Sequence, residues 1–251
     1  PGIMYQPHPC FAKDNERFVY HPGRGNGRFF SFEQANSIKD FSDFTRKATR
    51  ELVAEDYVYG IRRLFNPELQ CPILYPILLR YIEGGEKFIK KLQSDIQKNE
   101  EKGLSSFTPL VYTNYEFEGV KLLDKYTFSI TLREPYPQFN YWLAMYFFSP
   151  IPWEVESFYE EISNYELDFR LDNQPVGTGP FGYDLIFGEE HKQNIYPISG
   201  CSSAIIMRKN PFFNMLAPND GMFPPTFNPE TTYGVDKNSG GKLNQDELPF
   251  N

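Results

Sequence analysis

The chain has 251 residues, of which 40% are hydrophobic and 23% are charged, so it can build a core and is not disordered throughout. Its net charge of −8 argues against a nucleic-acid-binding protein, because phosphate recognition requires clustered Lys and Arg. The 24 Phe, 17 Tyr and 21 Pro predict large rigid contacts and irregular backbone rather than a helical bundle.

Two helices are predicted in the first half of the chain. The first spans residues 54–65, with Glu55 and Asp56 at its positive end, and the second spans residues 86–99. The buried stripe predicted for the second helix is Phe88, Ile89, Leu92 and Ile96. No window of 18 consecutive apolar residues occurs, so the sequence predicts no membrane-spanning helix.

A β-hairpin is predicted next. Residues 116–123 lead through a turn at 124–125 into residues 126–132, where apolar and polar residues alternate as in a half-buried strand. The core residues that these patterns predict are Ile61, Leu64, Phe128, Ile130 and Leu132.

An aromatic segment follows, in a helix predicted to begin at Pro137 and to run through residue 147. At helical spacing, the predicted core residues are Phe139, Trp142, Met145 and Tyr146. The segment has more aromatic surface than one buried stripe needs, so one or two rings are expected to face a cleft. Tyr141 and Trp142 are the predicted ligand contacts.

A glycine-rich segment at 175–180 precedes predicted strands at 181–187 and 204–208. The backbone of Gly177, Thr178 and Gly179 is a second predicted ligand contact, because glycines leave room for a ligand to approach. Residues 214–251 are rich in Pro and Gly and lack periodicity, which predicts an irregular connecting segment.

The sequence contains none of the standard hydrolase or phosphate-loop motifs, and no catalytic residue is predicted. Its three cysteines, Cys10, Cys71 and Cys201, share no short spacing; this disfavours a structural zinc site and allows at most one disulfide. His8, Cys10 and His21 could offer soft metal ligands, but loop residues of this kind usually serve packing.

Two groups of acidic residues need an interpretation. The four glutamates at 154, 156, 160 and 161 are typical of a solvated helix face, within a short helix predicted at 153–160. Asp236, Asn238 and Glu247 match positions 1, 3 and 12 of a calcium-loop template. The flanks of that loop are poor helix material, which argues against a helix-loop-helix calcium site, so neither a metal nor another cofactor is predicted.

Seven segments, taken in order, resemble the bacterial extracellular solute-binding proteins of family 5. They are PGIMYQPHP (1–9), TRELVAEDYVY (49–59), GIRRL (60–64), YPQFNYWLAM (136–145), PIPWE (150–154), PVGTGPF (175–181) and KNPFF (209–213). Each motif is weak alone, but the ordered set is specific. The resemblance covers most of residues 1–213 and matches the middle of longer family members.

The resemblance implies a mixed α/β (α+β) fold, a type II periplasmic-binding-protein-like clamshell, of which this chain holds largely one lobe. Residues 1–213 would be part of the N-terminal lobe, and residues 214–251 would lead toward the second lobe. Val53 departs from the family pattern, in which Thr is common at this position. The change removes a helix N-cap and lowers the stability by about 1 kcal/mol.

The resemblance also implies a function without catalysis. The protein would bind peptides or similar small solutes, close around them and deliver them to the permease subunits of an ABC importer. It is expected to be a monomer in the periplasm or outside the cell, in many relatives anchored to the membrane. Two alternatives stay open: an enzyme that uses Glu51, Glu55 or Asp56, and a calcium-dependent interaction module.

Overall fold

The computed structural model describes residues 1–23, 31–39, 41–101, 112–165, 167, 169, 171, 174–183, 207–210 and 213. The helices are α1 (Phe32–Ser37), α2 (Ala54–Arg63), α3 (Leu79–Tyr81), α4 (Gly85–Glu101), α5 (Phe139–Leu143) and α6 (Trp153–Ser163). The strands are β1 (Lys13–Asp14), β2 (Arg17–Phe18), β3 (Val120–Asp124), β4 (Thr127–Ile130), β5 (Phe181–Tyr183) and β6 (Met207–Lys209). This mixture of helix and strand agrees with the predicted class, and the clamshell stays a prediction.

The described strands form three antiparallel pairs, β1 with β2, β3 with β4, and β5 with β6. Single bridges tie the N-terminal segment to the residues before α2, through Met4 with Glu51 and His8 with Ala48. The segment that begins the chain therefore lies alongside residues 48–51.

The two predicted helices of the first half are confirmed, with small shifts at their ends. Helix α2 begins at Ala54 as predicted and ends at Arg63, with Ile61 and Leu64 buried. Helix α4 covers the predicted range 86–99 and buries Phe88, Leu92 and Ile96. Their apolar stripes face one core, which is why periodicity located them correctly.

The β3–β4 hairpin is confirmed, with its turn one residue later than predicted. Asp124 pairs with Thr127, and the register shifts between Leu122 and Asp124. The predicted core residues of this hairpin are only half-buried and pack against the core from outside. They are Phe128, Ile130 and Leu132.

The buried side chains form two clusters. The first core lies among α2, a π-helix (Leu74–Leu78), α4 and the hairpin, and the second lies among the N-terminal segment, α1 and α6. The largest fully buried side chains are Ile61, Phe65, Leu78, Ile82, Phe88, Leu92 and Tyr112 in the first core, and Tyr5, Phe41, Phe44 and Phe158 in the second. Helices α2 and α6 each contribute to one core, so contacts between them join the two.

The predicted long helix at 137–147 is wrong. Helix α5 ends at Leu143, and a separate 3-10 turn covers Tyr146–Phe148, because the backbone of Met145 is extended (φ −81°, ψ 150°). This break rotates the later residues out of the helical register. Met145 and Tyr146, predicted as core, are therefore exposed, at 44% and 73%.

The last described strands, β5 and β6, lie within or next to the strands predicted at 181–187 and 204–208. Residues 184–206 and 214–251 lie outside the described residues, as does Cys201. Cys10 is buried and Cys71 half-buried, and neither forms a disulfide with another described residue.

Candidate functional site

The predicted aromatic contacts lie on α5. Tyr141 is 77% exposed, whereas Trp142 is half-buried and packs against the first core. The Trp142 indole N–H donates to the Tyr136 hydroxyl at 3.1 Å, and the Tyr136 ring stacks on Tyr81 with centroids 4.1 Å apart. Trp142 is thus held in place by its neighbours, and Tyr141 projects its ring into solvent beside it.

The aromatic surface continues beyond α5. Tyr146 is 73% exposed, and its ring lies 4.1 Å from that of Phe147, centroid to centroid. Leu143 and Met145 are also exposed. We call the four exposed large apolar residues of this segment the α5 surface and define it as Tyr141, Leu143, Met145 and Tyr146.

The glycine segment is held at both ends but not in the middle. The carbonyl of Gly177 accepts a hydrogen bond from the backbone N–H of Gln6 at 2.9 Å, and the carbonyl of Gly179 accepts one from Asn210 Nδ2 at 3.1 Å. The backbone of Thr178 makes no hydrogen bond to any residue that the structure describes. Among the described atoms, a Cβ built on either glycine would meet none closer than 3.9 Å, so the described residues leave this backbone open to a partner.

The two groups of predicted contacts attach to different cores. Trp142 packs against the first core, and Val176, next to the glycine segment, packs against the second. Among the described residues, no hydrogen bond or ring contact joins the two groups. The two groups therefore lie on different parts of the fold, and their contact with a ligand stays a prediction.

A buried ion-pair cluster joins the two cores, and sequence reasoning missed it. The Arg50 guanidinium binds Glu154 through two hydrogen bonds of 2.7 Å, and Asp56 through bonds of 2.6 and 3.0 Å. It also lies over the rings of Tyr5 and Phe11, each centroid 5.4 Å from Cζ. Burial acts to lower the pKa of Arg50, but the hydrogen bonds to both carboxylates raise it above its ordinary value.

The prediction that the glutamates of helix α6 form a solvated face is wrong. Glu154 and Glu161 are buried at 5% and 6% exposure. Glu156 accepts a 2.6 Å hydrogen bond from Arg63 Nε and another from the Tyr59 hydroxyl, both on α2. The prediction failed because Arg50 and Arg63, which pair with Glu154 and Glu156, lie about a hundred residues earlier in the chain, and sequence spacing does not reveal pairs so far apart.

Glu160, on the same helix, lies in an unfavourable setting for a charge. It is half-buried, and no ion-pair partner for it occurs among the described residues. Burial and then the nearby Glu156 and Glu161 carboxylates raise the pKa of Glu160 to about 8. This carboxyl group therefore holds its proton near neutral pH.

Two of the three carboxylates considered for catalysis make hydrogen bonds and ion pairs within the fold, and the third lines a cleft. Asp56 binds Arg50 and also accepts from the Val53 amide at 3.0 Å. Glu51 accepts from the Gly2 amide at 2.6 Å and from Lys125 Nζ at 2.7 Å, and these bonds lower the pKa of Glu51 to about 2. Glu55 lines a cleft beside α2.

The two histidines of the N-terminal segment are packing residues with specific hydrogen bonds. His8 Nδ1 accepts from the Cys10 amide at 3.1 Å, and its Nε2 lies 3.1 Å from the Tyr159 hydroxyl. His21 Nε2 lies 2.7 Å from the Cys10 carbonyl and its Nδ1 3.2 Å from Ser157 Oγ. Burial lowers the pKa of His8 to about 3 and that of His21 to about 4.

Within the described part of the chain, no group of three or more His, Cys, Asp or Glu side chains is placed to hold a metal. The candidate calcium loop, with Asp236, Asn238 and Glu247, lies outside that part. No helix that the structure describes is long and apolar enough to cross a membrane.

Comparison with known families gives a match. The model of the bacterial extracellular solute-binding proteins, family 5 Middle, matches residues 41–185, which is more than half of the chain and includes α2 to α6. Comparisons with curated proteins and with solved structures gave no match.

Proposed function

The chain belongs to the bacterial extracellular solute-binding proteins of family 5, and from this we propose that it is the substrate-binding component of an ABC importer for peptides or similar small solutes. The family match over residues 41–185 is the observation that carries the proposal. In it, the protein binds its solute unchanged, as a monomer outside the cytoplasmic membrane, and passes it to membrane permease subunits. Membrane anchoring belongs to the same proposal.

The proposed mechanism is a shift between conformations. Residues 1–213 would form part of one lobe, and residues 214–251 would lead toward a second. A solute that contacts both lobes favours the closed state by its differential affinity for that state. The permease would recognise the closed form, so that only loaded protein delivers cargo.

The α5 surface is the first proposed contact with the solute. Tyr141 offers an exposed rigid ring at small entropic cost, and its neighbour Trp142 is held in place by a hydrogen bond to Tyr136. An exposed aromatic ring can pack on many side chains, which suits a protein that accepts varied peptides. Such contacts give affinity without strict side-chain specificity.

The Gly177–Thr178–Gly179 backbone is the second proposed contact. The amide and carbonyl of Thr178 make no bond to the described residues, and the glycines on either side carry no side chain that would block approach. An extended peptide can add its main chain to an open backbone of this kind. Main-chain pairing is common to all peptides, so it would support broad recognition.

Native mass spectrometry of the protein, expressed from its complete gene and purified without denaturation, tests the proposal. We expect a co-purified peptide or small solute, or saturable binding from an added peptide mixture once bound solute is removed. Protein that carries no solute and also binds no peptide from the mixture would contradict the binding function. Family membership would then describe only the fold.

Variants then locate the contacts. Tyr141→Ala and Gly177→Val are each expected to weaken solute binding about tenfold, because one removes a ring and the other blocks the backbone approach. Phe32→Ala is the matched control, since Phe32 is a ring of similar exposure (72%) on α1. Equal affinities for all three variants would remove both proposed contacts without affecting the proposed function.

A further inference from the structure

A cleft beside α2 has a composition that the proposed function does not use. It has a volume of about 420 Å³ and lies between Glu55, Val58 and Arg62 of α2 on one side and the 114–122 segment on the other. A volume of this size lies in the range of small-molecule sites. The cleft shares no residue with the α5 surface or with the glycine segment.

A buried cation forms part of its wall. Arg62 is only 7% exposed, and its Nη atoms donate to the carbonyls of Tyr112, Tyr115 and Val120 at 2.8 to 3.1 Å. Its Nε has no hydrogen-bond acceptor in the described structure, and no carboxylate there forms an ion pair with it. Its positive charge is therefore balanced only by carbonyl dipoles, and in a buried setting its field reaches further than at the surface.

The cleft is lined by charged side chains of both signs, Lys121 and Glu116 beside the 114–122 segment and Glu55 on α2. Lys121 on β3 and Glu116 before it are both exposed, and neither forms an ion pair with another described residue. The lining also contains apolar groups, among them half-buried Tyr115 and Leu122, which is 45% exposed. A small ligand in this cleft would thus meet a cation, an anion and an apolar surface together.

We propose that this cleft binds a zwitterionic α-amino acid with an apolar side chain. Its carboxylate would pair with Lys121, above the buried positive charge of Arg62, and its ammonium group would pair with Glu116. Its side chain would pack on Leu122 and Tyr115. Charge-assisted pairs at both ends make the site selective for molecules that carry both charges.

The test is NMR titration of the protein with leucine, leucinamide and N-acetyl-leucine. We expect leucine to shift the backbone amides of residues 114–122 in a saturable way at millimolar concentration. Leucinamide lacks the carboxylate and N-acetyl-leucine lacks the ammonium group, so each is expected to bind about tenfold more weakly.

Two exposed variants separate the two ends of the ligand. Lys121→Gln is expected to abolish the preference for leucine over leucinamide and to keep the preference for leucine over N-acetyl-leucine. Glu116→Gln is expected to abolish the preference over N-acetyl-leucine and to keep the preference over leucinamide. Lys90→Gln, an exposed lysine of α4, is the matched control and is expected to change neither preference. Equal binding of the three ligands, shifts confined to other residues, or no saturable shift would each overturn the proposal.

Discussion

Arg50 joins three parts of the fold through one side chain. It packs on rings of the N-terminal segment, binds Asp56 of α2 and binds Glu154 of α6. Both carboxylates are almost fully buried, so each depends on Arg50 for its compensating positive charge. The two cores are therefore joined by electrostatics as well as by packing.

Replacement of Arg50 by Ala is expected to lower the free energy of unfolding by about 3–5 kcal/mol, because two buried carboxylates lose their cation. Urea unfolding measures this change. The control is Arg133→Ala, whose ion pair with Glu86 is more exposed and 3.8 Å long, and which is expected to cost less than about 1 kcal/mol. Similar costs for the two variants would show that the Arg50 cluster contributes little to the fold.

Glu160 gives a prediction with a definite sign. The pKa of Glu160 is raised to about 8 from an ordinary 4.5, so the folded protein holds this proton more tightly than the unfolded chain does. The stability that this proton provides is complete below pH 4.5 and is lost as the pH rises through 8. The amide of Glu160→Gln has no proton to lose in this range. The free energy of unfolding of this variant is therefore expected to exceed that of the wild type by roughly 1–2 kcal/mol at pH 9, allowing for partial exposure to solvent.

Unfolding free energies at pH 4.5 and pH 9 check this sign. The two proteins are expected to agree at pH 4.5 and to differ at pH 9. Glu134→Gln, at an exposed position, serves as the control and is expected to show no such difference. A gain at both pH values would indicate a packing effect instead of a titration.

At the scale of elements, α2 begins without a side-chain cap. Val53 has the extended backbone of an N-cap residue (φ −127°, ψ 166°), but its side chain makes no capping bond. The Asp56 carboxylate returns to the Val53 amide at 3.0 Å, so one half of a capping box is present. The missing cap is predictable from the sequence because capping depends on residues close together in the chain.

Val53→Thr is expected to stabilise the protein by about 0.5–1 kcal/mol, because the hydroxyl can accept from the Asp56 amide at the third helical position. Thermal or urea unfolding measures the gain. Val53→Ala, which removes the same branched side chain without adding an acceptor, is expected to give no gain. If Ala stabilises as much as Thr, the effect comes from removal of Val and not from capping.

The predictability of each element followed from the range of its interactions. Helices α2 and α4 and the hairpin were predicted because apolar periodicity reflects which face is buried. The predicted helix α5 was too long because its aromatic residues continue past the break at Met145, and the hydrophobic pattern does not indicate that break. The pairing of α6 with Arg50 and Arg63 links residues about a hundred positions apart, which a single sequence does not reveal.

At the scale of the whole molecule, two buried histidines couple folding to pH. The pKa values of His8 and His21, about 3 and about 4, lie below the ordinary 6.5, so both are neutral in the folded protein at pH 5 and charged in the unfolded chain. Their contribution to stability is complete above pH 6.5 and is lost as the pH falls toward 3 to 4. Near pH 5, unfolding should take up about two protons through these residues.

Together the two histidines contribute a slope of roughly 2–3 kcal/mol of unfolding free energy per pH unit near pH 5, and the raised pKa of Glu160 contributes a slope of opposite sign. His21→Gln keeps a donor and an acceptor but cannot titrate, and it is expected to reduce the contribution of the histidines by about half. Urea unfolding at a series of pH values from 4.5 to 7 (roughly the window set by these pKa values) measures both slopes. An unchanged slope in the variant would mean that His21 does not titrate on unfolding.

The Arg50 cluster also constrains how this protein can change over evolutionary time. Loss of any one of Arg50, Asp56 and Glu154 leaves a buried charge without full compensation, whereas an apolar set at all three positions can be accommodated. Single substitutions there pass through a destabilised intermediate. Homologous sequences are therefore expected to keep these three residues or to replace them together, and covariation among positions 50, 56 and 154 would record that history.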